Sequence, residues 1–265
     1  MLAALDARNG AVTVGFREGE SWLPLAKLGV DRTADEYAFL LEAAFARASG
    51  GEKPDGSLRD AWISSVVPAL TPRLAEGIER AFGVVPGVVG PGVKTGVKIR
   101  TDQPSEVGSD LVCQAAAAFE IVRGSCIVAD FGAALTLTAV NAAGELMGVA
   151  IAPGLETAAW ALRNCAAQLP QVRLEETSRA IGTNSIASVR AGIMLGYAGL
   201  VRELAGRMRV ELASAAPGSA EAALLGTGDE LGKTVLEGLG AMAFVPDLTL
   251  DGLALIAAKN TRLRS

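Results

Sequence analysis

The most informative absence in this sequence is histidine, which occurs nowhere among its 265 residues. Without an imidazole, the chain cannot use Ser-His-Asp or Cys-His catalysis, and it cannot form an HExxH metal site. If the chain moves protons, a carboxylate is therefore the best available group. A carboxylate base suits phosphoryl transfer to an alcohol, because positioning and charge neutralisation supply most of that catalysis.

Other scarce features exclude further classes of protein. The net charge is −5 and no long basic run occurs, which argues against a nucleic-acid partner. No apolar stretch approaches the length of a membrane span, and Asp6 interrupts the N-terminal apolar run, so we expect neither a membrane partner nor a signal peptide. Cys113, Cys126 and Cys165 are odd in number and widely spaced, which favours reduced thiols in a cytoplasmic protein over a disulfide framework or a zinc site.

What the sequence does contain is one strand–turn–strand pattern that occurs twice, as LAALDARNGAVTVGF from residue 2 and CIVADFGAALTLTAV from residue 126. Each copy is an apolar run ending in an aspartate, Asp6 or Asp130, then a turn with a glycine and an alternating β-branched run. We therefore expect two similar halves, with these aspartates on equivalent strands facing one cleft. A carboxylate and backbone N–H groups at such a turn suit a phosphate and its cation.

Between the two hairpins, strand and helix signals alternate, which predicts an α/β fold with parallel strand pairs. Thr33 and Glu36 form a capping box, and Thr71-Pro72 reads as the N-cap and first residue of a second helix. Strands are predicted over 62–67 and 84–89. Further helices are predicted over 106–122 and 154–169, from an Asn184 cap to about Leu212, and from Thr249 onward.

Two glycine-rich segments come close to nucleotide-binding motifs without matching them. GPGVKTG, from Gly90 to Gly96, is a loop with one cation at Lys94, but its glycine spacing differs from the dinucleotide fingerprint. The segment from Gly226 to Thr234, GTGDELGKT, has one residue too many for a P-loop, and its acidic pair would repel phosphate.

Taken in order, several segments resemble those of the type III pantothenate kinases over nearly the whole chain. The matching segments are RTADEY from Arg32, ISSVVPALTP from Ile63, GPGVKTGVKI from Gly90, VGSD from Val107, IVADFG from Ile127, AIAPGL from Ala150, GYAGLV from Gly196 and PDLTLDGL from Pro246. The resemblance implies an α/β fold of two ribonuclease-H-like domains of the actin-like, sugar-kinase type, with a cleft between them. We expect domains at 1–122 and 123–265, the second carrying a dimer interface.

The resemblance also implies an activity and a set of ligands. The activity is ATP-dependent phosphorylation of pantothenate to 4'-phosphopantothenate in coenzyme A synthesis, with Mg²⁺ and a monovalent cation, K⁺ or NH₄⁺. By position, Asp110 falls on the general base and Asp130 on the ligand of the monovalent cation. The positions that fall on the substrate site are Thr101, Gly108, Ser109, Leu111 and, reaching across from a partner subunit, Ser185. Those that fall on the nucleotide site are Asp6, Arg8, Asn9, Gly10, Gly132, Ala133 and Gly228.

The chain departs from the family pattern mainly where phosphate should bind. Arg8 replaces a glycine that lets the backbone approach phosphate, and Gly10 removes a hydroxyl from the first phosphate loop. Ala133 and Leu135 remove two hydroxyls from the second. In the substrate region, Thr101 stands for a tyrosine, Leu111 for an arginine and Gln114 for an asparagine. In the turn on the adenosine side, Gly228-Asp229 replaces a Gly-Gly pair. If the losses of three hydroxyls and the arginine add, they would cost roughly 6 kcal/mol, about four decades of rate.

Three hypotheses follow from this pattern. The chain is a subunit that is weak or inactive alone and completes the pantothenate pocket of a complete paralogue, or it is an active homodimeric kinase with an unusual ATP site. The third hypothesis is a non-catalytic binding or regulatory protein on the same fold. The intact GPGVKTG segment, Asp110 and a long helix rich in glycine and alanine weigh against the third hypothesis.

Overall fold

A computed structural model of the chain describes residues 1–51, 58–215, 218 and 220–261. The strands are β1 (Leu2–Ala7), β2 (Val12–Glu18), β3 (Ser21–Trp22), β4 (Ala26–Leu28), β5 (Asp60–Ser65), β6 (Gly87–Val88), β7 (Lys98–Ile99), β8 (Cys126–Phe131), β9 (Ala134–Val140), β10 (Glu145–Pro153), β11 (Ala223–Gly228) and β12 (Ala243–Phe244). The helices are α1 (Ala34–Ala48), α2 (Thr71–Phe82), α3 (Ser109–Val122), α4 (Leu155–Cys165), α5 (Ser185–Ala215), α6 (Glu230–Leu236) and α7 (Leu248–Thr261). Within these described ranges, no helix is long and apolar enough to cross a membrane.

The chain divides into two compact units. Unit 1 contains the described residues of Met1–Val97, Asp102–Ala117 and Thr249–Ser265, and unit 2 contains those of Lys98–Thr101 and Ala118–Leu248. Helix α7 therefore groups with unit 1, whereas the sequence-based division after residue 122 assigned it to the second half. The chain crosses from unit 1 to unit 2 within α3.

Unit 1 is a mixed sheet with helices packed on it. The strand order is β3-β2-β1-β5-β6, and β4 pairs with β2. Phe16 of β2 packs edge-on against Phe45 of α1, with ring centroids 5.1 Å apart, and both side chains are fully buried. The predicted capping box is confirmed, because the Thr33 hydroxyl accepts from the Glu36 N–H and the Glu36 carboxylate accepts from the Thr33 N–H.

Unit 2 repeats this arrangement around a second sheet, ordered β12-β11-β8-β9-β10-β7. Its core joins the buried faces of β8, β9 and β11 to α5 through residues such as Ile127, Leu137, Ile193 and Val201. The cap of α5 is also confirmed, because the Asn184 Oδ1 accepts from the Ala187 N–H at 2.9 Å.

The two central strands, β1 and β8, have the same neighbours. Strand β1 pairs antiparallel with β2 and parallel with β5, and strand β8 pairs antiparallel with β9 and parallel with β11. Asp6 lies opposite Thr13 and Ser64, while Asp130 lies opposite Thr136 and Thr227. The sequence repeat thus correctly predicted equivalent strands for the two aspartates. The common cleft stays a prediction.

Several element boundaries differ from the sequence-based prediction. The N-cap of α2 is Leu70, without a side-chain hydrogen bond, and Thr71 is the first helical residue. The Thr71 hydroxyl instead donates to Ser65 Oγ at 2.8 Å, so it ties the helix start to the end of β5. The strand predicted over 84–89 is only two residues long, Gly87–Val88, because Pro86 has no N–H to donate to the sheet.

We predict that Gly252→Ala strongly destabilises the protein. Gly252 of α7 packs directly on the α3 backbone, where an added Cβ would collide with the carbonyl group of Cys113. A backbone carbonyl cannot move aside as a flexible side chain can, so the free energy of unfolding should fall by about 3 kcal/mol. Urea denaturation measures the change. In the matched control, Gly206→Ala in α5, the new Cβ meets nothing within 4 Å, and stability should stay equal or rise by up to about 1 kcal/mol. A Gly252→Ala protein as stable as the control would contradict this packing.

Candidate active site

The first loop, residues 6–10, joins β1 to β2 and is held by its own arginine. The Arg8 Nε donates to the Asp6 Oδ2 at 2.8 Å, and the Arg8 N–H donates to the Ala11 carbonyl at 3.0 Å. Asp6 is only 5% exposed, whereas Asn9 and Gly10 at the tip are exposed. A buried carboxylate requires a counter-charge, and here the side chain two residues later supplies it.

The same arginine is linked to two helices of unit 1, directly to α7 and through Thr249 to α3. Its Nη2 donates to the Thr249 Oγ1 at 2.8 Å, and that oxygen also accepts from the Gln114 Nε2 at 3.0 Å. Thr249 and Gln114 are buried at 3% and 0% exposure. Gln114 follows Asp110 by four residues on α3, so the two side chains lie on one face of that helix. The network therefore connects the first loop to the face that carries the predicted base.

The start of α3 holds the predicted substrate residues beside β5. The Ser109 Oγ lies 3.0 Å from the Ser64 Oγ and donates to the Ser65 carbonyl at 3.1 Å. Since Ser64 is also the ladder partner of Asp6, the β5 end lies next to both the first loop and the α3 start. The Asp110 Oδ1 accepts from the Leu111 N–H at 2.8 Å, which orients the carboxylate at the helix N-terminus.

Gly108 and Leu111 flank this aspartate in different ways. A Cβ on Gly108 would collide with the Asp110 Oδ1, so the glycine leaves room for that carboxylate. Leu111 is buried, with 8% of its surface exposed, and packs as a core side chain. Leu111, which the resemblance aligns with an arginine of the family, thus contributes to the interior of unit 1.

Cys113 lies beside this polar group but is not a candidate nucleophile. The thiol is fully buried, and burial, reinforced by the negative charge of Asp6, raises its pKa far above the ordinary value. At neutral pH the sulfur is therefore a protonated thiol, which is a poor nucleophile.

The GPGVKTG loop is fixed to α7 by one asparagine. The Asn260 Oδ1 accepts from the Lys94 N–H at 3.1 Å, and its Nδ2 donates to the Lys94 carbonyl at 2.9 Å. Both backbone groups of Lys94 are thus held by one side chain, while Lys94 itself remains partly exposed.

In unit 2, the second predicted carboxylate lies at the end of β8. Asp130 is 3% exposed, and a Cβ on Gly228 would lie 2.6 Å from its Oδ1. Gly228 has φ +92°, a left-handed conformation that side chains rarely adopt, so two constraints require glycine at this position. The Asp229 N–H donates to the Phe131 carbonyl at 2.7 Å, which joins this turn to the Asp130 strand.

The second loop, residues 131–134, follows directly. The Gly132 N–H donates to the Ala134 carbonyl at 3.1 Å, and the Ala133 carbonyl accepts from the Gly154 N–H at 2.9 Å and from the Thr157 hydroxyl at 2.7 Å. Ala133 is exposed. Leu135 is fully buried in the unit 2 core.

The structure therefore collects the predicted residues into two groups. Unit 1 joins Asp6 and Arg8 to the α3 start that contains Gly108, Ser109, Asp110 and Leu111. Unit 2 joins Asp130 to Gly228 and to the loop with Gly132 and Ala133. Also in unit 2, Thr101 has a buried hydroxyl without a hydrogen-bond partner among the described residues, and Ser185 is exposed as the first residue of α5.

Sequence reasoning missed Thr249 and Ser64 as members of the site. Thr249 is 241 positions from Arg8, and only the match of PDLTLDGL to the family pattern pointed to its neighbourhood. Ser64 looked like an ordinary residue of a buried strand.

The fit of the two implied cations differs between the units. Asp6 does not fit as a magnesium ligand here, because a guanidinium nitrogen bonded to its Oδ2 would repel a divalent cation. The described residues also contain no cluster of three or more His, Cys, Asp or Glu side chains that could hold a metal ion. A monovalent cation fits Asp130 better, since the two ladder partners of this buried aspartate, Thr136 and Thr227, both carry hydroxyl oxygens. Its ladder partner Thr136 carries a buried hydroxyl with no hydrogen-bond partner within the described residues.

Comparison with known proteins identifies the family. The model for type III pantothenate kinases matches residues 2–207. The chain belongs to the type III pantothenate kinase family. It is 39% identical over 262 residues to the type III pantothenate kinase of Dehalococcoides mccartyi strain CBDB1, covering 98% of this chain and 96% of that protein. It is 38% identical over 263 residues to the enzyme of Moorella thermoacetica, covering 98% and 100% of the two chains.

Solved structures agree with this type III pantothenate kinase assignment at the level of fold. A Campylobacter jejuni protein assigned to the Baf family of transcriptional activators superposes with a TM-score of 0.61 at 14% identity, covering 98% of this chain and 99% of its own. A Sinorhizobium meliloti protein assigned as a 2-dehydro-3-deoxygalactonokinase gives 0.50 at 16% identity, covering 98% and 99%. The predicted family and the actin-like, sugar-kinase type of α/β fold are both confirmed.

Proposed function

We propose that this chain is a pantothenate kinase subunit of coenzyme A synthesis that is weak or inactive alone and acts with a complete paralogue. The observation that carries the proposal is the Arg8–Asp6 ion pair, which closes the first loop with a side chain where the family pattern has glycine. The relatives' shared name supports pantothenate and ATP as substrates. Three free cysteines support a cytoplasmic location.

The reaction would transfer the γ-phosphoryl group of ATP to the pantothenate hydroxyl. The Asp110 carboxylate takes the hydroxyl proton while the oxygen forms its bond to phosphorus. The bond between the γ-phosphorus and the bridging oxygen breaks, and ADP leaves with that electron pair. The Arg8 guanidinium is the cation beside the first loop, and a monovalent cation would lie at Asp130.

Low activity of the chain alone is supported by three features of the described site. The Arg8 side chain is bonded to Asp6 at the position where the family pattern has a glycine, and the loop tip at Gly10 lacks a hydroxyl donor. Position 111 is a buried leucine where the family pattern has an arginine, so it supplies no guanidinium to hold the substrate. Because positioning dominates phosphoryl transfer, a base without these contacts contributes little.

Pairing with another chain is supported by the surface of unit 2. Trp160 of α4 is 65% exposed, Ile151 of β10 is 71% exposed and Ile181, just before α5, is 84% exposed. Of the thirteen exposed large apolar side chains among the described residues, ten belong to unit 2, which favours this unit as the place of a protein–protein interface. Helix α5 also exposes Gly192 and Gly196, whose lack of side chains allows a second helix to approach closely.

We expect the purified chain to release ADP in a pantothenate-dependent manner at least about 1,000-fold more slowly than a complete family member. Co-expression with a complete paralogue under two affinity tags should yield a mixed dimer with robust turnover. The control is a mixed dimer in which the paralogue's own base is replaced, so that activity can be assigned to one pocket.

Two other results would contradict the proposal in different ways. Robust turnover by the chain alone would establish an active homodimeric kinase. No turnover and no association with any complete member would favour the binding or regulatory protein.

A further inference from the structure

The Arg8–Asp6 pair also bears on the cation that the first loop uses. We propose that the Arg8 guanidinium is a built-in cation that takes the place of a divalent metal ion at Asp6, so that nucleotide binding by this chain gains nothing from such a metal. The inference rests on the proposed function, because it concerns the nucleotide site of that same kinase fold.

The first argument is the geometry of the guanidinium. The Arg8 Nε donates to the Asp6 Oδ2 and the Nη2 donates to the Thr249 Oγ1, both at 2.8 Å. Two anchors on two different nitrogens fix the planar group, whereas an exposed arginine would be free to rotate away. The Arg8 side chain is 30% exposed and that of Asp6 is 7% exposed, so the pair is largely withdrawn from water.

The second argument is the support behind the guanidinium. The Thr249 hydroxyl accepts from both Arg8 and Gln114, and Gln114 is fully buried in α3. A hydroxyl oxygen has two lone pairs, so the Thr249 Oγ1 can accept from both donors at once. The first loop, α3 and α7 all contribute to holding the positive charge at one place.

The third argument is electrostatic. A carboxylate oxygen that accepts a charge-assisted hydrogen bond has lost much of its attraction for a second cation. A divalent ion at coordination distance from the Asp6 Oδ2 would also lie within a few ångströms of the guanidinium and be repelled by it. Arg8 and a metal ion are therefore alternatives for Asp6, and the chain encodes the first.

The test measures how much a divalent metal improves ATP affinity. Calorimetric titrations with ATP are performed with excess Mn²⁺ and with EDTA, for the native chain and for Arg8→Gly. We expect no gain from Mn²⁺ in the native chain, including the case in which ATP does not bind at all. We expect at least a 10-fold gain in Arg8→Gly, and loss of that gain in Arg8→Gly with Asp6→Asn.

Two further variants keep the test interpretable. Arg8→Gln preserves a long polar side chain and removes the charge, so it should show the metal gain even if Arg8→Gly fails to fold. Arg47→Gln removes a guanidinium that donates to the Leu25 carbonyl in the same unit and should behave as the native chain.

A metal gain in the native chain equal to that in Arg8→Gln, or no gain in either Arg8 variant, would overturn the inference. The proposed function is judged separately, by pantothenate-dependent turnover of the mixed dimer. An Mn²⁺ gain confined to the Arg8 variants, without any response of the mixed dimer to pantothenate, would uphold the cation assignment and refute the substrate.

Discussion

ATP with Mg²⁺ is expected to bind the chain alone weakly or not at all, and the variant Arg8→Gly, Gly10→Thr, Ala133→Thr should bind at least about 100-fold more tightly. The arginine occupies the first loop through its bond to Asp6. The two threonines would return hydroxyl donors, and each hydrogen bond to a charged phosphate contributes about 1.5–3 kcal/mol. Both positions can accept the larger side chain, because a Cβ on Gly10 would meet nothing within 4 Å and Ala133 is exposed.

The control for this variant uses side chains of the same shape without hydroxyls. Arg8→Gly, Gly10→Val, Ala133→Val changes volume and backbone freedom in the same way. It should therefore recover only the part of the ATP affinity that removal of the arginine provides. Calorimetry reports all three affinities. Micromolar ATP binding by the native chain would contradict the prediction and favour an active kinase. Equal affinities for the threonine and valine variants would show that the hydroxyls do not cause the gain.

The second large effect is expected in the mixed dimer, where Ser185→Ala should lower turnover about 10-fold or more while Asp110→Asn changes it less than about twofold. By resemblance, Ser185 serves the pantothenate pocket of the opposite subunit, and it is exposed at the start of α5. A lost hydrogen bond to a bound substrate costs about 1–3 kcal/mol. By the same resemblance Asp110 would serve this chain's own pocket, and the adjacent Leu111 is buried and provides no clamp there.

A matched serine substitution separates a substrate contact from helix stability. Ser214, at the far end of α5, is also exposed, and its hydroxyl donates to the Val210 carbonyl at 2.8 Å. Ser214→Ala should therefore leave turnover of the mixed dimer unchanged. Turnover by the purified chain alone that Asp110→Asn abolishes would reverse the ranking and make this an ordinary kinase of its family.

The parts of the fold that were predictable from sequence depend on local signals. The two hairpins were visible because each apolar run ends in Asp6 or Asp130 before a glycine turn, and the strand neighbours repeat in the structure. The α1 cap was predictable because Thr33 and Glu36 lie three residues apart. Thr71 was assigned wrongly as a cap because its hydroxyl instead bonds Ser65, a partner that only the folded chain brings near.

The role of Arg8 was not predictable for a related reason. The sequence showed an arginine in a glycine position and left open whether it blocks phosphate or compensates for lost donors. Its bond to Asp6 is local, but its second anchor, Thr249, comes from the last described helix. Contacts across so many residues leave no periodic signal, so the direction of the side chain emerges only from the three-dimensional arrangement.

The grouping of α7 with unit 1 has a consequence for how the chain folds during synthesis. Unit 1 draws on residues before 118 and after 248, whereas unit 2 is nearly continuous between them. Gly252 of α7 packs on the Cys113 backbone, and Thr249 receives the Arg8 hydrogen bond. One face of the unit 1 sheet can pack early, because its core contains only residues up to 84. The other face, which includes Ala4 and Trp62, packs on Leu250, Leu253 and Ile256 of α7, so it must wait until unit 2 has been translated. Until that moment one face of β1 stays uncovered, so this half of the protein should depend more on chaperones than the half made after it.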